Sequence, residues 1–173
     1  LLIQSLLKQN EFGNYMKSAA KNAEEIIGSL ALGSKTNREK AEIIYNYTKS
    51  NYNWSGTKDK YAGKTAKEFL KAKTGNSAEI NLFLCSMLNA AGIQAFPVLV
   101  STRDHGKISV DYPFQQFLNY VIVITRFDDQ EVLLDATEPL SPFGMLPARC
   151  INDKGLVVNK DKEEWIRLED KGE

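Results

Sequence analysis

Residues 76–92 read NSAEINLFLCSMLNAAG, and this stretch decides the fold. Asn76 followed three residues later by Glu79 has the spacing of a capping box, in which each side chain satisfies the other's backbone N–H. Ile80, Phe83, Leu84, Met87, Leu88 and Ala91 then recur at three- and four-residue steps, and Gly92 stands where a helix stops. The spacing predicts a helix over 76–91, apolar enough to lie inside the molecule.

Working outward toward the N-terminus, the same signal occurs twice more. Thr65 with Glu68 opens a short helix through Phe69 and Leu70, and Thr36 with Glu39 opens one carrying Ile43, Ile44, Tyr47 and Thr48. Before these, Tyr15, Met16, Ala19, Ala23, Ile26, Ile27 and Leu30 mark a further helix that ends near Gly33. Toward the C-terminus the period changes. Ala95–Ser101, Gln116–Thr125 and Glu131–Asp135 are rich in Val, Ile, Leu and Phe, with Asp128-Asp129 as a short hairpin turn between the last two. Leu156–Val158 and Trp165–Leu168 complete the strand candidates. Helices followed by strands predict an α+β fold, a mostly antiparallel sheet packed on the central helix. That helix should cross the strands holding Val98, Val121 and Leu133.

Counts narrow the chemistry. The 173 residues fit one domain, 1–173. Lys+Arg (22) balance Asp+Glu (22), so the chain lacks the basic surplus expected of a nucleic-acid-binding domain. Two cysteines, Cys85 and Cys150, and one histidine, His105, are too few for an ordinary zinc site, and no metal or other cofactor is expected. No apolar stretch approaches the roughly 18 residues of a membrane span. The chain starts at Leu1, with no basic flank on Leu1-Leu2-Ile3. It is expected to be a piece excised from a longer polypeptide, with no signal peptide in this fragment.

Three segments together resemble the transglutaminase-like superfamily, which has a papain-like cysteine-protease core. They are Lys73-Thr74-Gly75-Asn76-Ser77-Ala78-Glu79-Ile80-Asn81 leading into Leu88-Asn89-Ala90-Ala91-Gly92-Ile93-Gln94-Ala95, then Phe117-Leu118-Asn119-Tyr120-Val121-Ile122-Val123, then Leu133-Leu134-Asp135-Ala136-Thr137 followed by Leu146-Pro147. The resemblance covers a core of about 36–168, with 1–35 as an N-terminal helical extension. More narrowly, the chain is similar to transglutaminase-like domains inside large exported proteins of Bacteroidetes-type bacteria.

The resemblance implies a Cys-His-Asp triad: a thiol at a helix N-terminus, a histidine on the next strand, and an aspartate that orients the ring. Here Ser77 stands at the Cys position, Tyr120 at the His position with Asn119 one residue away as the competing alignment, and Asp135 at the Asp position. Serine needs a base to become a nucleophile, and tyrosine, with a reference pKa of about 10, is not one at neutral pH. Loss of a triad nucleophile or base costs on the order of 10⁶ in kcat. The expected function is therefore a non-catalytic binding or structural module of a larger envelope protein, periplasmic or extracellular. Its partners would be flanking domains and a peptide or amine-bearing ligand. The alternative is a hydrolase or acyltransferase with Ser77 as nucleophile, helped by Asp135 and His105.

Each residue also has a structural reading. Ser77 suits the first turn beside the Asn76 cap, and Asp135 suits a cap on the turn into Thr137. Tyr120 can be a strand aromatic whose hydroxyl bonds Asp135. Trp54, Asn76 and Asn119 are cleft candidates, although Trp54 reads more simply as core. His105 lies in a polar loop, while Cys85 and Cys150 should be buried free thiols.

Overall fold

The computed structural model describes residues 2–102, 118–152 and 154–168. Helices α1 (Leu2–Lys8), α2 (Gly13–Ser29), α3 (Asn37–Asn51) and α4 (Ala66–Ala72) precede the central helix α5 (Ser77–Ala90). Short strands β1 (Asn53–Trp54) and β2 (Thr74–Gly75) flank α4 and pair with each other in parallel. Strands β3 (Gln94–Val100), β4 (Tyr120–Phe127), β5 (Gln130–Leu134), β6 (Lys154–Asn159) and β7 (Lys162–Arg167) form an antiparallel sheet in the order β5-β4-β3-β6-β7. A 3₁₀ turn, Ala148–Cys150, lies between β5 and β6. His105 and the start of the expected strand at 116 lie outside the described residues.

The local code explains these elements. All three capping boxes form, at Thr36/Glu39, Thr65/Glu68 and Asn76/Glu79, each with side chain and backbone satisfied in both directions. Asp128 and Asp129 take φ of 49° and 62° at the β4–β5 turn, the left-handed geometry that fits the twist of a two-residue hairpin. Asp tolerates that region better than most residues.

Every residue of α5 from Ser77 to Leu88 is buried. It packs against α2 and α3 on one side and against β3 and β4 on the other. Tyr52, Phe69 and Phe83 form an aromatic cluster beside it, with centroids 4.9 to 5.9 Å apart. The central strands β3 and β4 are buried on both faces, and alternation along β4 assigns them. Val121 and Val123 join Leu99 and Leu134 toward the helices, whereas Tyr120, Ile122 and Ile124 join Val98, Leu146 and Cys150 on the far side. Of the strands expected to be crossed by α5, β3 and β4, which hold Val98 and Val121, pack against it, and within them Val121 faces the helix. Val98 and Leu133 belong to the opposite layer because both faces of these strands are apolar, and composition then carries no marker of side. Cys85 and Cys150 are both free and buried, one in each layer.

Candidate functional site

The N-terminus of α5 is where the sequence concentrates its polar signals. Asn76 caps it, accepting from the Glu79 N–H at 2.8 Å, and Glu79 returns the contact to the Asn76 N–H at 2.8 Å. Glu79 is itself buried, and its other carboxyl oxygen accepts the backbone N–H groups of Gly63, at 2.7 Å, and Lys64. The Asn76 amide donates to Tyr61 O at 2.9 Å. Residues 57–64 are thereby laid across the helix tip. Gly75 lets the chain enter here: a Cβ at that position would meet Glu79 Oε1 at 2.6 Å and the Phe69 ring at 2.7 Å.

Ser77 lies under this segment. Its hydroxyl donates to Asp59 O at 2.6 Å and accepts from the Asp59 N–H at 2.8 Å, while its own N–H donates to Thr57 O at 3.2 Å. Both roles of the hydroxyl are occupied by backbone, and the proton goes to a carbonyl, which is no base. The structural reading of Ser77 as a first-turn residue thus has a definite content: it fastens the loop to the helix.

Asp135 forms the second half of the site, just past the end of β5. Its Oδ2 accepts the Tyr120 hydroxyl at 2.7 Å and the Cys150 thiol at 3.4 Å. Its Oδ1 accepts the Asn81 amide at 2.9 Å and the Thr137 N–H at 3.1 Å. Asp135 therefore caps the turn into Thr137 and also holds Tyr120; the two readings coexist. Asn119, the competing residue, turns away and pairs with Thr102 instead, accepting from its N–H at 3.0 Å and donating to its hydroxyl at 3.1 Å.

Asn81 links the halves. It lies one helical turn beyond Ser77 on the same face of α5, donates also to Val121 O at 2.9 Å, and accepts the Ala136 N–H at 2.9 Å. Sequence reasoning passed over it, although an amide within the apolar stretch 80–88, four residues from Ser77, was a usable signal.

Arg149 was also passed over. Its Nη2 donates to the Thr137 hydroxyl at 2.7 Å and reaches Tyr120 Oη at 3.4 Å, and its Nη1 pairs with Glu138 at 2.7 Å. The guanidinium lies 4.3 Å from the ring centre of Trp54, which is half-buried. Tyr120 has one proton, given to Asp135, so Thr137 donates to Tyr120 at 3.1 Å and Arg149 donates to Thr137. Hydrogen bonds run in one direction from cation to carboxylate.

At the expected triad positions the Ser77 hydroxyl meets backbone groups and no base among the described residues. Ser77, Tyr120 and Asp135 are all 0% exposed. Burial, reinforced by the Asp135 charge, drives the Tyr120 phenol far above its ordinary value, so it stays protonated and cannot accept a proton from a nucleophile. Burial pushes the Cys85 thiol up to about 12 and the Cys150 thiol well above its ordinary value. Among the described residues no group of three or more His, Cys, Asp or Glu could hold a metal ion, and no helix is long and apolar enough to cross a membrane.

Comparison with known proteins adds the following. Residues 24–133 match the model of the transglutaminase-like superfamily, a span that includes Ser77 and Tyr120 and stops two residues before Asp135. A crystal structure of a candidate protease from Parabacteroides distasonis superposes with a TM-score of 0.67 at 19% identity, over 97% of this chain and 30% of that one. A candidate cysteine protease from Cytophaga hutchinsonii gives a TM-score of 0.45 at 16% identity, over 71% of this chain and 38% of that one. No curated protein matches significantly.

Proposed function

The chain belongs to the transglutaminase-like superfamily, and from that premise we propose that it works without catalysis, as a binding or structural module of a larger bacterial envelope protein. The observation that carries the reading is Ser77. A hydroxyl engaged twice by the Asp59 backbone, under a loop fastened by Glu79, has neither a base nor an open face for a substrate carbonyl. Tyr120 and Asp135 keep the geometry of an orienting pair without an imidazole to orient. A place within a longer exported polypeptide, periplasmic or extracellular, is supported by the resemblance to exported Bacteroidetes-type domains. Its partners are then the flanking domains, and a peptide or amine-bearing ligand where the module binds one.

The test is covalent labelling by a fluorophosphonate probe, with the Ser77→Ala variant alongside. The expected result is no labelling of either protein. Labelling that disappears in Ser77→Ala would establish instead a hydrolase or acyltransferase with Ser77 as nucleophile.

A further inference from the structure

The backbone hydrogen bonds described for the 3₁₀ turn are local: Cys150 N to Pro147 O at 2.9 Å, Ile151 N to Ala148 O at 3.1 Å and Asn152 N to Cys150 O at 3.1 Å. The turn is held to the rest of the fold by side chains. Cys150 reaches Asp135, and the Asn152 amide donates to Ser101 O at 3.0 Å. Arg149 extends the other way, through Thr137 and Glu138 to the ring of Trp54. Arg149 and Trp54 are the half-buried members of this group, and Tyr120, Asp135 and Cys150 beneath them are sealed. The closed arrangement is also incompletely satisfied, because Arg149 Nε is buried with no hydrogen-bond partner among the described residues. A buried donor without a partner favours any state in which it meets water.

We propose that Arg149 stacked on Trp54 is a latch over the Tyr120–Asp135–Cys150 cluster, an autoinhibitory contact that keeps this half of the site closed in the free protein. Opening swings the 3₁₀ turn outward, exposing the Tyr120 and Thr137 hydroxyls and the Asp135 carboxylate on one side and the Cys150 thiol on the other. Its purpose, admitting a ligand, rests on the binding reading, but the opening itself is measured without a ligand and independently of any catalysis.

The cysteines report on it. In the full chain, iodoacetamide alkylation at fixed pH is followed residue by residue by peptide mass mapping. Cys85 in α5, in the other layer, serves as the internal control. Wild type is compared with Trp54→Leu, which removes the stacking surface, and with Arg149→Lys, which keeps the charge but loses the planar fork. The expected result is an increase of about ten- to a hundredfold in the Cys150 rate in both variants, the scale of a lost cation–π contact plus a charged hydrogen bond. The Cys85 rate should not change. An unchanged Cys150 rate in both variants overturns the latch, as does a Cys150 increase matched by Cys85 in Arg149→Lys. If Trp54→Leu loosens the whole chain, Cys85 follows in that variant, and Arg149→Lys decides alone.

Discussion

Around Ser77 the closing contacts come from backbone, the N–H and C=O groups of residues 57–64, whereas around Asp135 they come from the side chains of Asn81, Tyr120, Thr137, Arg149 and Cys150. The difference has consequences. Peptide groups are common to the loop residues, so the helix-tip half depends on the three side chains Asn76, Ser77 and Glu79 and little on the identity of the loop residues they hold. The strand-end half depends on each of its side chains, and a single substitution there strands a buried partner.

The largest effect is expected at Asp135. Asp135→Ala leaves the Tyr120 hydroxyl and one N–H of the Asn81 amide without their acceptor in a sealed site, and should cost about 3–5 kcal/mol in urea unfolding. A loss below about 1 kcal/mol would mean that the network does not hold this end together. Glu79→Ala is the matching experiment at the helix tip. It frees the N–H groups of Gly63, Lys64 and Asn76, of which the first two can reach water by lifting the loop, so about 2–3 kcal/mol is expected. Equal losses for the two variants would erase the contrast between the halves.

Alkaline pH probes both halves at once. Burial raises the phenols of Tyr15, Tyr45, Tyr52 and Tyr120 above the ordinary value. Since the unfolded phenol titrates near pH 10, the stability tied to these groups is fully present below about pH 10 and lost as pH climbs beyond it. The slope is about 1.4 kcal/mol per pH unit for each tyrosine. Unfolding free energies at pH 9 and pH 11 should show this fall. Tyr15→Phe, beside Glu79, and Tyr120→Phe, beside Asp135, should each make it shallower by about one tyrosine's share. A pH-independent stability over this range would contradict the burial of these hydroxyls.

The smallest effects separate side chain from backbone within the loop. Ser77→Ala removes the partner of both Asp59 backbone groups and should cost about 1–2 kcal/mol. Asp59→Ala keeps those groups, and apart from an Asx contact to the Tyr61 N–H it should change stability by about 0.5 kcal/mol or less. The reverse ranking would show that the Asp59 side chain, not its peptide groups, closes the helix tip.

The same contrast explains what the sequence made legible. Capping boxes place donor and acceptor three residues apart, so Thr36, Thr65 and Asn76 could be read directly, and the Asp128-Asp129 turn likewise. Of the two competing positions, the structure puts Tyr120, not Asn119, against Asp135. The seal over Ser77 could not be read, because it is made by peptide groups of Thr57 and Asp59 that no residue type advertises. Arg149 was illegible for another reason: its partners Trp54, Tyr120 and Thr137 come from distant segments, and a single Arg in a late loop ordinarily faces water. The faces of Val98 and Leu133 were hidden by the apolar character of both sides of their strands.

The central claim is that the tip of α5 is closed. It is tested most directly by placing a thiol there, Ser77→Cys in a Cys85→Ala, Cys150→Ala background, and measuring alkylation against pH in native buffer and in denaturant. The account predicts native alkylation slower than in denaturant by about a hundredfold or more, with a midpoint no lower than the ordinary thiol value of about 8.5. A thiol that reacts as fast as in denaturant, with a midpoint below pH 7, would reveal an open and activated helix tip and contradict it.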